Sequence, residues 1–481
     1  MEAVLRWAGV RLPVADTRGD GAETLRRIAE RRSRASIAAR RRFSFFQPHA
    51  RPVARRLSAP ATIPVWIVPV PADAVDCVKE SLVLARITLV AFMGYFLVAG
   101  AAAQSAPATP QSHPPAAEAA RERAKRLIDK GVKYLVAAQD KEGGWKSDFG
   151  PGITSLVLKA LAQDPDVGPR SDVVRRGVEF VLKFQRDDGG IYSALGLYKN
   201  YETAVTLSMF SVLTGGDFKD AIEKTRKFLI DNQADEDHGK SQDDVWYGGA
   251  GYSALKRPDL SNTQLMIEAL HDSGLSKDDP AYKKALVFIS RCQMHAEHNS
   301  MEFAANSKQG GFIYSAAGGG ESKAGTLTVD GRTELRSYGS MTYAGFKSMI
   351  YCGLSKDDAR VTAALDWIRR NWTLAYNPNM PDKQSREGLF YFYHTFARAL
   401  DAYGDSVIRD ARGRDHDWRA ELVDVLASQQ RDDGSWSNEA DRWMESTPPL
   451  ATAYALLALQ AAYPELTVAG RESGASQPAG K

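Results

Sequence analysis

Four side chains of this 481-residue chain are of types that move protons or bind metal, and each stands in or beside an apolar stretch. They are Asp243 and Asp244 in "QDDVW", Glu202 in "NYETAVTL" and His394 in "YFYHTFA". A carboxylic acid kept protonated in a dry pocket, with a neighbour to assist it, can protonate an alkene. The acid pair lies in a loop before Trp246, where a solvated pair with ordinary pKa values is the plainer reading. Paired carboxylates roughly 5 to 9.5 Å apart would instead suit glycoside chemistry, with Glu202 and Glu302 as the pair. Aromatic and amide residues crowd the same stretches: Tyr201, Trp246, Tyr247, Tyr252, Asn262, Gln264, Tyr338, Tyr343, Phe392, Tyr393 and Trp443. They are the candidate ligand-binding residues, because aromatic faces suit an apolar polyene or a developing carbocation. The competing reading makes them packing between neighbouring helices.

The elements that would position these groups follow from a repeated string. "QDKEGGW" at Gln139 to Trp145, "QRDDGGIY" at Gln185 to Tyr192 and "QRDDGSW" at Gln430 to Trp436 each follow a segment with helical apolar spacing and precede a more apolar one. Weaker copies follow "IEKTRKFLIDNQ", "KKALVFISRCQ" and "VTAALDWIRRNW". The unit is helix, turn, helix, and it occurs six times between about Arg121 and Tyr463. Six pairs are expected to close into a ring, with the more apolar second helices inside. In the turn, the Gln is expected to reach carbonyls left unpaired at the end of its own helix, the glycines to permit the reversal, and the Trp to cover it.

These strings resemble the QW repeats of the squalene cyclase and protein prenyltransferase β-subunit superfamily. The resemblance covers the six repeats and implies an all-α fold, an α/α toroid of inner and outer helix rings. It implies less about activity, since that superfamily includes cyclases, transferases and binding proteins. The D-x-D-D string with which squalene cyclases protonate substrate at the start of an inner helix is missing from "GPGITSL", "NYETAVTL", "LSNTQLM", "SYGSMTY", "YFYHTFA" and "STPPLATAY". "FYHT" resembles the segment in which farnesyltransferase-type β-subunits bind zinc through a His, which falls on His394. Ser340 and Thr342 stand where the resemblance asks for an Asp and a Cys, so no metal is expected there, and no cofactor. The expected function is binding of a hydrophobic, terpenoid-like or polymeric ligand in the ring. The alternatives are a terpenoid cyclase or prenyltransferase with a non-standard acid, and a carbohydrate-active enzyme on a six-pair helical barrel.

Charge is unevenly spread. The chain has 62 Lys and Arg against 59 Asp and Glu, but residues 1–103 hold 16 basic and 8 acidic residues. The remainder is mildly acidic, which gives no basic surface for nucleic acid. Residues 1–77 lack lysine, are rich in arginine, and read as a disordered or mis-called upstream extension. Residues 78–103, with an apolar run closed by Ala101, Ala102 and Ala103, have the form of a signal peptide or a single membrane anchor. An exported, periplasmic or cell-envelope protein is therefore expected, with membrane association possible through the anchor. Residues 104–120 read as a Pro/Ala linker, 121–465 as the toroid, and 466–481 as a disordered tail.

Overall fold

The computed structural model describes residues 114–213, 217–253 and 256–475. Residues 1–77 and 78–103, and with them the export segment, lie outside that range. Thirteen α-helices dominate the described residues. Twelve of them form six pairs. The outer members are α1 (Pro114–Ala137), α3 (Asp172–Leu182), α5 (Lys219–Asp231), α7 (Pro280–Arg291), α9 (Ala359–Arg370) and α11 (Trp418–Gln429). The inner members are α2 (Gly152–Gln163), α4 (Lys199–Phe210), α6 (Leu260–Asp272), α8 (Gly339–Tyr351), α10 (Leu389–Tyr403) and α12 (Pro448–Ala462). Two short antiparallel hairpins decorate the loops, β1 (Thr326–Val329) with β2 (Arg332–Leu335) and β3 (Val407–Arg409) with β4 (Asp415–Asp417).

Each inner helix packs on the next, from α2 through α4, α6, α8 and α10 to α12, and α12 returns to α2. The ring is closed. Its seam is covered by α1, which packs on both α11 and α12. Sequence explains the two layers. The inner helices are apolar around most of their circumference, and nearly every residue of α2, α8 and α12 is buried, as a helix without a polar face must be. Outer helices are amphipathic: α3 buries Val174, Gly177, Val178, Phe180 and Val181 and leaves its charges in water. Three outer-helix starts are fixed by aspartates. The Asp279, Asp358 and Asp417 carboxylates accept from backbone N–H groups of the first turn of α7, α9 and α11.

The repeated turn holds the ring together with its roles redistributed. The indole, not the Gln, satisfies the outer-helix terminus: Trp145 Nε1 donates to Leu135 O and Trp436 Nε1 to Leu426 O, both at 2.8 Å. The Gln amide reaches forward. Gln139 Nε2 donates to Gly143 O in its own turn and to Val173 O in the next outer helix, each at 2.8 Å. Gln233, Gln293 and Gln430 repeat this double bond with Ala281, Arg360 and Leu127 as the far acceptors. The physical reason is reach, since the turn glycine lies against the next repeat. Gly434 has φ +87°, and a Cβ there would stand 2.4 Å from Lys130 O. A Thr on each inner helix completes the joint in five repeats. Thr154, Thr203, Thr263, Thr342 and Thr452 accept through Oγ1 from the backbone N–H at the aromatic position or its equivalent.

Two boundaries differ from expectation. The helix α1 starts at Pro114, inside the stretch read as a linker, because "PPAAEAARERAKRL" combines an N-terminal proline with strong helix formers. A short helix α13 (Val468–Ala475) occupies part of the stretch read as a disordered tail. Cys292 and Cys352 are free thiols.

Candidate functional site

The chain enters every inner helix from a turn, so turn residues and the first turns of inner helices gather at one end of the ring. There the structure assembles tyrosines around one carboxyl. Asp259 precedes α6 and caps it: one oxygen accepts from Asn262 N and the other from Asn262 Nδ2, each at 2.8 Å. Burial pushes this carboxyl up to about 6, against the pull of the Asn262 donors and of the Tyr314 phenol, which turns toward it. Tyr252 and Tyr314 come from turns, Tyr338 from the residue before α8, and Tyr391 from α10 on the far side of the ring. The Tyr391 hydroxyl accepts from Gln264 Nε2 at 3.0 Å and lies 3.1 Å from Ser261 Oγ, linking α10 to α6. Tyr391 and Tyr454 meet edge to face with ring centroids 6.0 Å apart, and the Tyr201 phenol faces that of Tyr454. Of the exposed large apolar residues, Phe149, Leu195, Leu197, Tyr198, Tyr376 and Trp443 all lie in segments leading into inner helices.

The other end of the inner helices is closed by ions. Lys159 of α2 reaches Asp272 of α6 at 2.8 Å, and Ser208 of α4 donates to the same oxygen at 3.1 Å. Arg398 of α10 spans Glu268 at 2.9 Å and Asp272 at 2.6 Å. Lys347 of α8, fully buried, pairs with the second oxygen of Glu268. Five inner helices are thus tied across the ring. Burial pushes Glu268 up, but Lys347 and Arg398 outweigh it and hold the carboxylate ionised well below the usual range.

His394 lies beside this network. Its Nε2 lies 3.9 Å from Glu268, and burial lowers the imidazole to about 3, with Lys347, Lys159 and Arg398 acting in the same direction. Ser340 and Thr342 are engaged elsewhere: Asn377 Nδ2 donates to Ser340 Oγ, while Thr342 serves the repeat joint. Glu202 is buried on α4 and accepts from Ser193 N at 2.8 Å and Ser193 Oγ at 3.1 Å; burial raises its pKa. Asp243 is exposed, and Asp244 is held by Lys240 at 2.9 Å and by Trp246 N. For Asp244, burial pushes up, yet Lys240 and Trp246 N–H prevail and lower the pKa. Among the described residues, no two of Asp243, Asp244, Glu202 and His394 share a hydrogen bond or ion pair. They are not brought together as one acid site.

The aromatic candidates divide in three. Tyr201, Tyr252 and Tyr338, with Asn262 and Gln264, belong to the tyrosine cluster, and Trp443 is exposed in the segment leading to α12. Tyr343, Phe392 and Tyr393 are packing toward the outer layer. Tyr343 and Phe392 contact Phe396, which meets Trp372 and Trp418, while the Tyr393 hydroxyl donates to Leu374 O and accepts from Gln429 of α11. Tyr247 donates to Glu236 in its loop, and Trp246 lines a cavity of about 210 Å³ beneath the Lys240 ammonium.

Asp259 and Tyr454 escape a reading of sequence alone, because an Asp before a helix is indistinguishable from an ordinary cap and a single Tyr within an apolar helix from core. The ion network did leave a signal. Lys159, Ser208, Glu268 and Lys347 each stand five residues after the repeat Thr of their helix, a polar register within apolar helices.

No family model matches the chain. Over 69 residues it is 38% identical to lanosterol synthase erg7A of Aspergillus fumigatus, a match that spans 14% of this chain and only 9% of that synthase. Among solved structures it is similar to a protein from Actinoplanes, at 17% identity and TM-score 0.44, covering 70% of this chain and 99% of the other. It is also similar to the type II terpene cyclase MstE from Scytonema, at 15% identity and TM-score 0.44, covering 71% of this chain and 99% of the cyclase. The chain is similar to these proteins, and its ring of six helix pairs stands on its own contacts.

Proposed function

We propose that the ring binds a hydrophobic, terpenoid-like ligand at the tyrosine-lined end of its inner helices. The observation that carries this reading is the convergence of Tyr201, Tyr338, Tyr391 and Tyr454 behind a rim of exposed apolar residues. Phenol rings offer apolar faces together with a few fixed hydroxyls, the mixture expected of a site for a largely apolar ligand. The ion network at the opposite end sets a floor, so the ligand would enter and leave by the tyrosine end. A second reading, cyclisation, is favoured by Asp259. Its carboxyl is buried at the start of an inner helix and raised to about 6, so about a tenth is protonated at pH 7 and available to an alkene.

Thermal denaturation with and without squalene or a geranylgeranyl compound tests binding. The wild type should melt higher with ligand, and Tyr391→Ala and Tyr454→Ala should reduce the shift. No shift with any polyene would remove the reading. Product analysis then separates the two: cyclised product from the wild type and none from Asp259→Asn would establish an enzyme, whereas binding without product leaves a binding module. We also propose export, on the apolar run and Ala101–Ala103 ending of residues 78–103. Among the described residues no helix is long and apolar enough to cross a membrane. Sequencing the mature N-terminus from the native host decides between cleavage near Gln104 and retention of the segment.

A further inference from the structure

We infer that His295, Glu297 and His298 form a binding site for a borderline divalent transition-metal ion such as zinc(II). The three fall in "HAEH", just after the end of α7, and are gathered by the backbone. His298 N and Asn299 N both donate to His295 O, at 3.1 and 3.0 Å, and the Asn299 amide ties the turn to Arg291 O and Gln293 O. Gln293 is in turn locked to Gly310 and to Arg360 of α9. The turn is therefore built on the joint between two repeats, and it holds one ligand atom from each of the three side chains within 4.8 Å of the others.

Three further observations concern the ligands themselves. The two imidazoles stack, with centroids 4.6 Å apart and planes within 13°. His295 Nδ1 is buried and has no hydrogen-bond partner, a condition that an added cation or donor would relieve. Glu297 is exposed and brings the negative charge that offsets the nearby Arg370 guanidinium.

The donor set selects the metal class. Two imidazoles and one carboxylate suit zinc, nickel, copper or cobalt, whereas calcium and magnesium require mostly oxygen. Ligand atoms around a tetrahedral ion with bonds of about 2.0 to 2.2 Å stand roughly 3.3 Å apart, so the side chains must close by about 1.5 Å. Glu297 and the half-buried His298 can do so by rotation alone. Three protein ligands leave a fourth position open to water or to a donor from another molecule. The site lies outside the tyrosine cluster and does not depend on the function proposed for it.

Untagged full-length protein, stripped with chelator, should be titrated with zinc(II) by calorimetry and with cobalt(II) by visible absorption. One ion per chain and the intense d–d bands of a tetrahedral cobalt site are expected. His298→Ala and Glu297→Gln should each weaken binding by about tenfold or more, with unchanged melting of the metal-free proteins, while His394→Ala should bind as the wild type does. Absence of saturable binding, or equal affinity in wild type and His298→Ala, would overturn the assignment. Loss of binding in His394→Ala with retention in His298→Ala would do the same, by moving the metal into the ring.

Discussion

Replacing Lys347 by Met tests the ion network at its most enclosed point. The side chain is fully buried on α8 and neutralises Glu268, which is 3% exposed and also meets Arg398. Methionine has a similar length, so the change removes a charge and leaves little void. Breaking a buried ion pair by deleting one partner costs about 3 to 5 kcal/mol, because the remaining charge is stranded. Arg398 still serves one oxygen of Glu268, which places the expected loss near the lower end, about 3 kcal/mol. Urea denaturation at pH 7.5 measures it. The pH dependence gives a second, independent sign. In the wild type the Glu268 pKa is depressed, so its stabilising contribution is present above the unfolded carboxyl pKa and is lost only as pH falls through the lower folded value. In Lys347→Met the depression weakens, the carboxyl takes up a proton more readily, and the gap from wild type should narrow as pH falls below the unfolded carboxyl value. Adding Glu268→Leu removes the stranded charge and should recover part of the loss at pH 7.5. A Lys347→Met protein within about 0.5 kcal/mol of wild type, the range of ordinary surface changes, would refute the network as described.

Trp145→Ala should destabilise by about 3 to 5 kcal/mol, since the indole is fully buried. Trp145→Phe should lose about 1 kcal/mol by removing the indole's bond to Leu135 O, which keeps Ala138 N as a donor; no loss in Trp145→Phe would mean the hydrogen bond contributes nothing. For Asp259 the folded pKa is raised from 3.8 to about 6, so the group costs nothing below the unfolded value and weakens the fold as pH rises between the two. Unfolding free energies of Asp259→Asn relative to wild type should therefore move by about 2 kcal/mol in favour of the variant between pH 4 and pH 7; a constant difference would show that the carboxyl titrates normally.

The ring was legible in the sequence because its evidence is repeated: six apolar inner helices and recurring glutamine turns point to one architecture, and errors at one repeat are corrected by the others. The division of labour within the turn was not, since the Gln and the Trp both stand near the same helix end in sequence. Only coordinates show that Gln139 reaches Val173 and that the indole stays at home. The candidate site fared worse. Of the acids clustered in sequence, Asp243 is exposed and Asp244 is held in its loop by a lysine and a backbone donor. The carboxyl raised to about 6 is a single Asp259, made unusual by burial among turns and inner-helix starts from several repeats. A pKa shift produced by distant chain segments has no local signature.

The seam joining α1 to the last repeat sets an order of events for a nascent chain. Leu127 O receives its bond from Gln430, 303 residues later, and Ala160 O from Gln460, 300 residues later. At about 5 to 20 residues per second, a ribosome needs some 15 to 60 s to deliver those partners. During that interval the first inner helix, apolar on nearly all sides, has α4 beside it on one flank and nothing on the other. The emerging protein is then an open arc with two sticky ends, and it remains one until the final pair of helices leaves the exit tunnel.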